Sequence, residues 1–551
     1  MNTRTLPRLE AASKHGRPAP LCSRAFRLAD RDVGIYSDAV GDRNPLHVDE
    51  DFARRSPYGR PIAHGALVLT LALAVLFETT DPRALEQIRV TFRQPVLPGR
   101  RYEINWTRAD GGAVRGRVSF GGVEVVGIHC TFGPGLRFSE HTVRPRPHRP
   151  RPRLFDPADP PGLEQGSYAA DHRFIAKLTE RLVGGRVPEH IATLLGWVSY
   201  WTGMSTPGRD ALLVACTIDL QQAGFGALEF HTDAAEVDRR SGLVTLRAHT
   251  RCGVNADVTV QSLVREQVPA PNPDSLAEFV PPSDLLADRT ILVVGGSRGL
   301  GAAVSLGLAA QGATVLVSCS RPPTQLLAAA GPYRDRLKLV LADARNPHAL
   351  AAALPAIPLD GVVVPAAPAI PSLPLAPDAV DCAADFIGDS ARLVLAPLSV
   401  CATRLRPYAT VVLVSSAAVD DPPRWWAHYT AAKCATEALA RYAAEHHPWQ
   451  VAVVRPPRLW TDLTNTPGGR AASAPMGPVA AAIVGAFTAP DFAPGEVAVL
   501  ESRVTESGQP DHSIAPTTSV ETPATSVETV PATSVEEVRH AGNSGAEQVL
   551  R

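Results

Sequence analysis

The sequence predicts α+β units at the front of the chain and an α/β domain, a doubly wound parallel sheet, behind them. Three observations carry this. Residues 288–500 alternate short β-rich runs (TILVVGG, TVLVSCS, LKLVLAD, GVVVPAA, TVVLVSS, VAVVRPP) with Ala/Leu-rich helical stretches, the pattern of a sheet wound on both faces. Residues 25–140 place one helix that is apolar on every side, ALVLTLALAVLF (66–77), ahead of the strand-like runs IRVTFRQPVLPG, RYEINWTRA, GRVSFGG and VEVVGIHCTF. Residues 160–267 repeat that plan. There FIAKLTERL and HIATLLGWVSYWTG read as helices, and LLVACTIDLQ, LEFHTDAAEVD, GLVTLRAHTRC and DVTVQSLVRE as strands.

A chain of 551 residues is too long for one core and calls for two to four domains. The breaks between the blocks are compositional. VRPRPHRPRPR (143–153) has prolines too close for helix or interior strand, so an extended cationic linker is expected over 143–159. VPAPNPDSLAEFVPPSD marks a second linker, 268–287. The expected domains are then 1–142, 160–267 and 288–500. Residues 501–551 carry three imperfect copies of TSVE separated by prolines, the composition of a disordered tail.

A net charge of −1 argues against a dedicated nucleic-acid or membrane-surface binder. The stretch 66–77 is shorter than the roughly 20 residues that span a bilayer, and the first twenty residues lack the apolar run of a secretion signal. Eight singly spaced cysteines show no metal-binding spacing; reduced thiols, a cytoplasmic location and no metal are expected.

The most chemical stretch is GDRNPLHVDEDFA (41–53). Asp42 and Asn44 are good turn formers and Asp49 a good N-cap, which alone would explain them. However, Asp42 and His47, five residues apart on one loop, can also straddle one small space as an acid/base pair. The longer segment YSDAVGDRNPLHVDEDFARRSPYGRPIAHGALVL (36–69) resembles the MaoC-like, (R)-specific enoyl-thioester hydratases, through Gly-Asp-x-Asn-Pro-Leu-His and then Pro-Ile-Ala-His-Gly. The resemblance implies the hotdog fold, a curved antiparallel sheet around one apolar helix. It implies Asp42 and His47 as the catalytic dyad, Asn44 as the residue fixing the loop or a carboxylate, and Gly65 as the backbone donor to the thioester oxygen. His64 is expected to be structural.

The second unit, with RVPEHIATLLGWVSYWTGM in the place of the first helix, suggests a double hotdog. No Asp-x-Asn-x-x-His precedes it, so a degenerate half is expected, one that completes the sheet and shapes an acyl tunnel. His172 and His190 are expected to be packed or surface histidines.

In the third block, TILVVGGSRGLGAAVSLGLAAQGATVLVSCSR (290–321) is strand, Gly-rich turn, helix and strand. Gly295, Gly299 and Gly301 would let the backbone approach a pyrophosphate at a helix N-terminus, with Ser297, Arg298 and Leu300 beside them. Ser416 (VLVSSAAV) precedes Tyr429 and Lys433 (AHYTAAKCATEALARYAA), which lie four apart on one helix face. A neighbouring ammonium should lower the phenol's pKa. This block resembles the short-chain dehydrogenase/reductases over nearly all its length. The resemblance implies a Rossmann-type domain in which Tyr429 gives its proton to a carbonyl oxygen, Ser416 orients that carbonyl and Lys433 holds the nicotinamide ribose. Asp343 and Thr461 match cofactor-contacting positions. The second strand ends Ser318-Cys319-Ser320-Arg321 without an acid, and with Arg298 and Arg321 this favours NADPH over NADH. Three departures stand out: Val364-Pro365-Ala366-Ala367 replaces Asn-Asn-Ala-Gly, Pro456-Pro457 replaces Pro-Gly, and Asp389 is the nearest candidate for the family's catalytic Asn.

Both sites would act on one β-carbon. Together the resemblances imply a 3-oxoacyl-thioester reductase and an (R)-3-hydroxyacyl-thioester dehydratase yielding trans-2-enoyl thioesters for fatty-acid-like or polyketide synthesis. Acyl carrier protein or coenzyme A would be the handle and a homodimer the assembly. The Arg-rich linker suits acidic carriers or coenzyme A phosphates, although a solvated spacer explains it more simply. The alternatives are a degradative hydratase/dehydrogenase on coenzyme A esters and an acyl-carrier-binding scaffold with a decayed reductase site.

Overall fold

The computed structural model describes residues 20–139, 143–466 and 469–500. The first nineteen residues and the tail 501–551 lie outside the described residues. Two sheets organise the molecule, and they differ in kind.

The first sheet is built from β1 Pro20–Arg27, β2 Leu85–Phe92, β3 Arg101–Arg108, β4 Val114–Phe120, β5 Val123–Phe132, β6 Arg137–Ser139, β7 Gln165–Tyr168, β8 Ala211–Thr232, β9 Glu236–Asp238 and β10 Leu243–Val264. Its order is β1-β3-β4-β5-β2-β8-β10-β9, with β6 and β7 also pairing with β8. All pairs are antiparallel except β6 with β8. The two halves join where β2 meets β8, from Gln87 opposite Asp219 to Thr91 opposite Ala215.

The sheet wraps two apolar helices. Gly65–Leu76 buries every residue from Ala66 to Leu76, which explains why its sequence has no polar face. Glu189–Tyr200 buries ten of its residues in succession, His190 to Ser199. The chain then loosens into one wider turn, Trp201–Ser205, closed by Thr206 N–H donating to Trp201 C=O at 2.8 Å.

One expectation needs correction, and the linkers gain detail. The sequence splits the second half into four strands, whereas the structure makes two long ones, β8 and β10. The glycines that look like strand ends are bulge points. A Cβ on Gly224 would meet Cys252 O at 2.5 Å and one on Gly253 would meet Ala227 O at 2.7 Å, so only glycine lets the strands cross there. The Pro/Arg segment 143–153 runs without helix or strand and mostly exposed, and it is anchored at several points. His148 stacks on Tyr168, Arg149 N–H donates to Tyr200 Oη, and Arg153 pairs with Glu164 at 2.7 Å. The segment after residue 268 likewise packs down: Leu276, Val280 and Leu286 are buried in the core beneath the second sheet.

That second sheet holds β11 Thr290–Val294, β12 Thr314–Cys319, β13 Leu337–Leu341, β14 Leu359–Val364, β15 Leu405–Val414, β16 Gln450–Val454 and β17 Val497–Leu500. It is wholly parallel, in the order β13-β12-β11-β14-β15-β16-β17. The last strand, β17, had no counterpart among the runs read from sequence. Strand order reverses between β11 and β14, which puts the ligand crevice of this architecture beyond their C-terminal ends. Among the described residues no helix is long and apolar enough to cross a membrane.

Candidate active sites

The first site grows from a helix end. Asp30–Val40 terminates at Gly41, whose φ of +69° turns the chain sharply into the loop. Asn44 then caps the short helix Pro45–Val48, its Oδ1 accepting from Leu46 N–H at 3.0 Å. The Asn44 amide donates to the carbonyls of Gly203 and Gly208 at 3.0 and 3.1 Å, tying the loop to the second half. Asp49 caps the next short helix, Glu50–Ala53, as a turn-forming role predicts.

Asp42 and His47 both face a cavity of about 480 Å³, whose wall also includes Gly65, Phe92, Val126 and Leu213. That volume lies in the range of small-molecule sites. Asp42 is buried. Ser199 Oγ donates to its Oδ2 at 2.6 Å and Asn44 N–H to its Oδ1 at 3.2 Å. Burial pushes the Asp42 carboxyl up, against the opposing effects of His47, Ser199 and Asn44. Burial holds His47 below the ordinary imidazole range. The His47 Nδ1 lies 2.8 Å from Ile62 C=O. A carbonyl only accepts, so Nδ1 carries the proton and Nε2 is left as a lone-pair base. Gly65 opens the central helix, and the first N–H groups of a helix have no acceptor within it.

His64 is closer to the chemistry than its sequence context suggests. Its ring stacks on His47 with centroids 3.8 Å apart, and Nε2 lies 3.1 Å from Asp42 C=O. The donor atoms of Asp42, His47 and His64 lie within 4.8 Å of one another. Stacked rings aim their lone pairs along similar planes rather than at one point, which is poor geometry for chelation and good geometry for positioning.

Sequence reasoning gave the second half a part in shaping the tunnel but missed its direct contacts with Asp42. Ser199 ends the buried face of its helix, and Gly203 follows four residues later. A Cβ on Gly203 would lie 2.4 Å from Asp42 Oδ1. The signal was present in SYWTGM, but nothing in that run names its partner. The cavity wall also includes Ser372 and Thr466, from two loops of the third block. Ser372 sits between Pro371, whose carbonyl bonds His428, and Leu373, whose N–H donates to Trp425 C=O at 2.9 Å. One wall of the first cavity thus adjoins the second site.

In that second site the glycine turn has a firm steric basis. Gly295 has φ +78°, and a Cβ there would touch Ala366 at 2.8 Å, so the altered Val364–Ala367 segment packs directly on the turn. A Cβ on Gly301 would strike Gly295 O at 2.2 Å. The helix Gly299–Ala310 starts after Arg298 with no side-chain cap, and Thr461 lies against Gly299. Ser297 and Leu300 flank Arg298 and Gly299 there. Unsatisfied helix-start N–H groups beside a backbone that tolerates no Cβ fit a pyrophosphate.

Tyr429 accepts or donates a hydrogen bond with Ser416, and Lys433 lies 5.8 Å from the Tyr429 ring centroid. Lys433 Nζ donates to Val414 C=O at 2.8 Å, and burial pushes its pKa down to about 8. The phenol departs from expectation: burial raises Tyr429, and the Ser416 bond only opposes that. Asp389 is bonded to Arg345 at 2.6 Å, and Arg345 also grips Asp343, holding that carboxyl below the usual range. Asp389 is therefore committed to Arg345. Arg321 pairs with Asp51 and lies 3.6 Å from Glu50, both from the first half.

Residues 10–125 match the MaoC like domain family, and residues 289–467 match the short chain dehydrogenase family. A 3-hydroxybutyryl-CoA dehydratase from Methylorubrum extorquens is 39% identical over 74 residues, 13% of this chain and 47% of that protein. The peroxisomal multifunctional enzyme type 2 of Drosophila melanogaster is 33% identical over 83 residues, 14% of each chain. The peroxisomal hydratase-dehydrogenase-epimerase of Saccharomyces cerevisiae is 34% identical over 70 residues, 13% of this chain and 8% of that one. The matched regions thus span less than half the length of these relatives. A dehydrogenase/reductase from Sinorhizobium meliloti 1021 aligns at 21% identity and a TM-score of 0.36, covering 40% of this chain and 96% of that one. The chain therefore carries a MaoC-like hydratase domain in a hotdog fold toward its N-terminus and a short-chain dehydrogenase domain toward its C-terminus.

Proposed function

We propose that the chain is a bifunctional enzyme: an NADPH-dependent 3-oxoacyl-thioester reductase coupled to an (R)-3-hydroxyacyl-thioester dehydratase that releases trans-2-enoyl thioesters. The observation that carries the reading is that Asp42 and His47 line one cavity together with Gly65, the first residue of the central helix.

Dehydration needs a base for the α-proton and an acid for the departing hydroxyl. His47 Nε2, left unprotonated by the Ile62 bond, takes the α-proton. Asp42, its carboxyl held up by burial, gives a proton to the hydroxyl, which leaves as water. The Gly65 N–H meets the negative charge that develops on the thioester oxygen. Run backwards, the carboxylate accepts a proton from water and the imidazolium returns one to the α-carbon. Asn44 and Ser199 hold the carboxylate in place.

The short-chain dehydrogenase domain implies a nicotinamide cofactor, and the fit of the glycine turn agrees. The turn and the start of the helix Gly299–Ala310 would hold its pyrophosphate, with Lys433 and Thr461 toward its ribose and nicotinamide. That cofactor would supply the hydride. Tyr429 would protonate the carbonyl oxygen that Ser416 orients. The absence of an acid at the end of β12 favours NADPH. Acyl carrier protein or coenzyme A would present the substrate, and a homodimer is the proposed assembly, to be read by sedimentation.

A second reading keeps cofactor binding but not turnover in the reductase half. The commitment of Asp389 to Arg345 favours it.

The deciding experiment supplies NADPH and 3-oxoacyl thioesters on both carriers and reads products by mass. Asp42→Asn is expected to stall at the 3-hydroxy product, with dehydration slowed by about 10²–10⁴. Tyr429→Phe is expected to stall at the ketone. Wild-type enoyl yield from Asp42→Asn overturns the dyad, and an unreduced ketone in the wild type selects the second reading.

A further inference from the structure

We infer that Arg54, on the hydratase half, completes the binding site for the 2′-phosphate of the cofactor held by the reductase half; this rests on the NADPH reading above.

In a dinucleotide-binding sheet the residue just past the second strand meets the adenosine ribose, where an acid binds the hydroxyls of NAD and arginine accommodates the phosphate of NADP. Here that strand is β12, and the residue is Ser320. Arg54 reaches across from the first half and its Nη2 donates to Ser320 Oγ at 3.2 Å. The backbone of Arg54 is fixed in turn by the other half: Arg298, in the glycine turn, donates from Nη1 to Arg54 C=O at 2.8 Å. Arg321, next after Ser320, comes to the same place. One guanidinium from the other domain, that of Arg54, therefore reaches the Ser320 hydroxyl, while Arg298 holds the Arg54 backbone and Arg321 pairs with Asp51, three residues before Arg54.

The charges around them are unevenly spent. Arg298 faces Asp462 at 3.5 Å and Arg321 is paired with Asp51. Arg54 has Asp51 only at 4.0 Å, beyond a hydrogen bond, and its close side-chain partner is the neutral Ser320 hydroxyl. A planar fork of donors set against a hydroxyl is a poor match for a cation, and a good one for a phosphate that would bring two acceptors and about two negative charges. Asp51 has the opposite effect. Its carboxylate occupies Arg321, so an arriving phosphate must compete for that guanidinium. The geometry thus gives two neighbouring residues contrary influences on the same ligand.

The test titrates the full-length protein with NADPH, NADH and 2′,5′-ADP, following binding by calorimetry. The wild type should prefer NADPH. Arg54→Gln should weaken NADPH and 2′,5′-ADP about tenfold, as loss of a charge-assisted bond to phosphate predicts, with NADH unchanged. Arg54→Lys should fall between them, and Asp51→Asn should tighten NADPH while leaving NADH alone. Enoyl-thioester hydration by each variant reports that the first half is folded. An Arg54→Gln protein that hydrates normally and keeps the wild-type ratio of NADPH to NADH affinity overturns the inference while the NADPH reading stands. Equal loss of both cofactors also overturns it. A wild type that binds NADH as tightly as NADPH sinks the NADPH reading and the inference together.

Discussion

The Ser199 hydroxyl donates to the Asp42 carboxylate, although it lies 157 residues away in sequence. Its hydrogen bond stabilises the carboxylate and so opposes the rise that burial causes. Ser199→Ala removes that opposition, and the Asp42 pKa moves further up. Hydration requires the ionised carboxylate, so its acid limb shifts to higher pH. Dehydration requires the protonated form, so its alkaline limb shifts to higher pH as well. Both limbs moving the same way, in pH–rate profiles of the forward and reverse reactions, is the expected outcome; unmoved limbs would show that Ser199 does not act on the titrating group. Spacing on one loop allows Asp42 and His47 to share a space, the family resemblance proposes them as a dyad, and the structure sets both at one cavity. The proton assignment was not legible in the sequence, because the His47 tautomer depends on the Ile62 carbonyl, fifteen residues on.

At the scale of elements, the turn Trp201–Ser205 matters more than its sequence suggests. It brings Gly203 against Asp42 with no room for a methyl group. Gly203→Ala must displace the carboxylate or the turn. Hydratase turnover should fall at least a hundredfold, as misplacement by an ångström does, while NADPH oxidation with a 3-oxoacyl thioester stays at wild-type rate in the same preparation. A matching loss in both reactions would mean global unfolding instead. The two central helices could be read directly, since a helix with no polar face has to be enclosed. The lengths of β8 and β10 could not: local turn signals look the same at a bulge and at a strand end, and only the partner strand tells them apart.

At the scale of the whole molecule, two loops of the short-chain dehydrogenase domain contribute Ser372 and Thr466 to the wall of the first cavity. Ser372→Trp should narrow that cavity and lower kcat/KM for hydration of long acyl chains roughly tenfold relative to short ones. Calorimetric NADPH affinity should be unchanged. Equal effects on all chain lengths would place Ser372 outside the acyl path. What the sequence determined by itself is local: the apolar helices, the β/α alternation of 288–500, the glycine turn, and Tyr429 with Lys433 on one helix face, with Asp42 and His47 close together on one loop. Each of these follows from chemistry within a few turns of chain. What tertiary structure decided is everything that needs a distant partner: Ser199 on Asp42, Arg54 on Ser320, Asp389 on Arg345, and a cavity walled by two domains. Such contacts are set by how sheets and helices pack, and packing is a property of the closed chain that no short window of sequence contains.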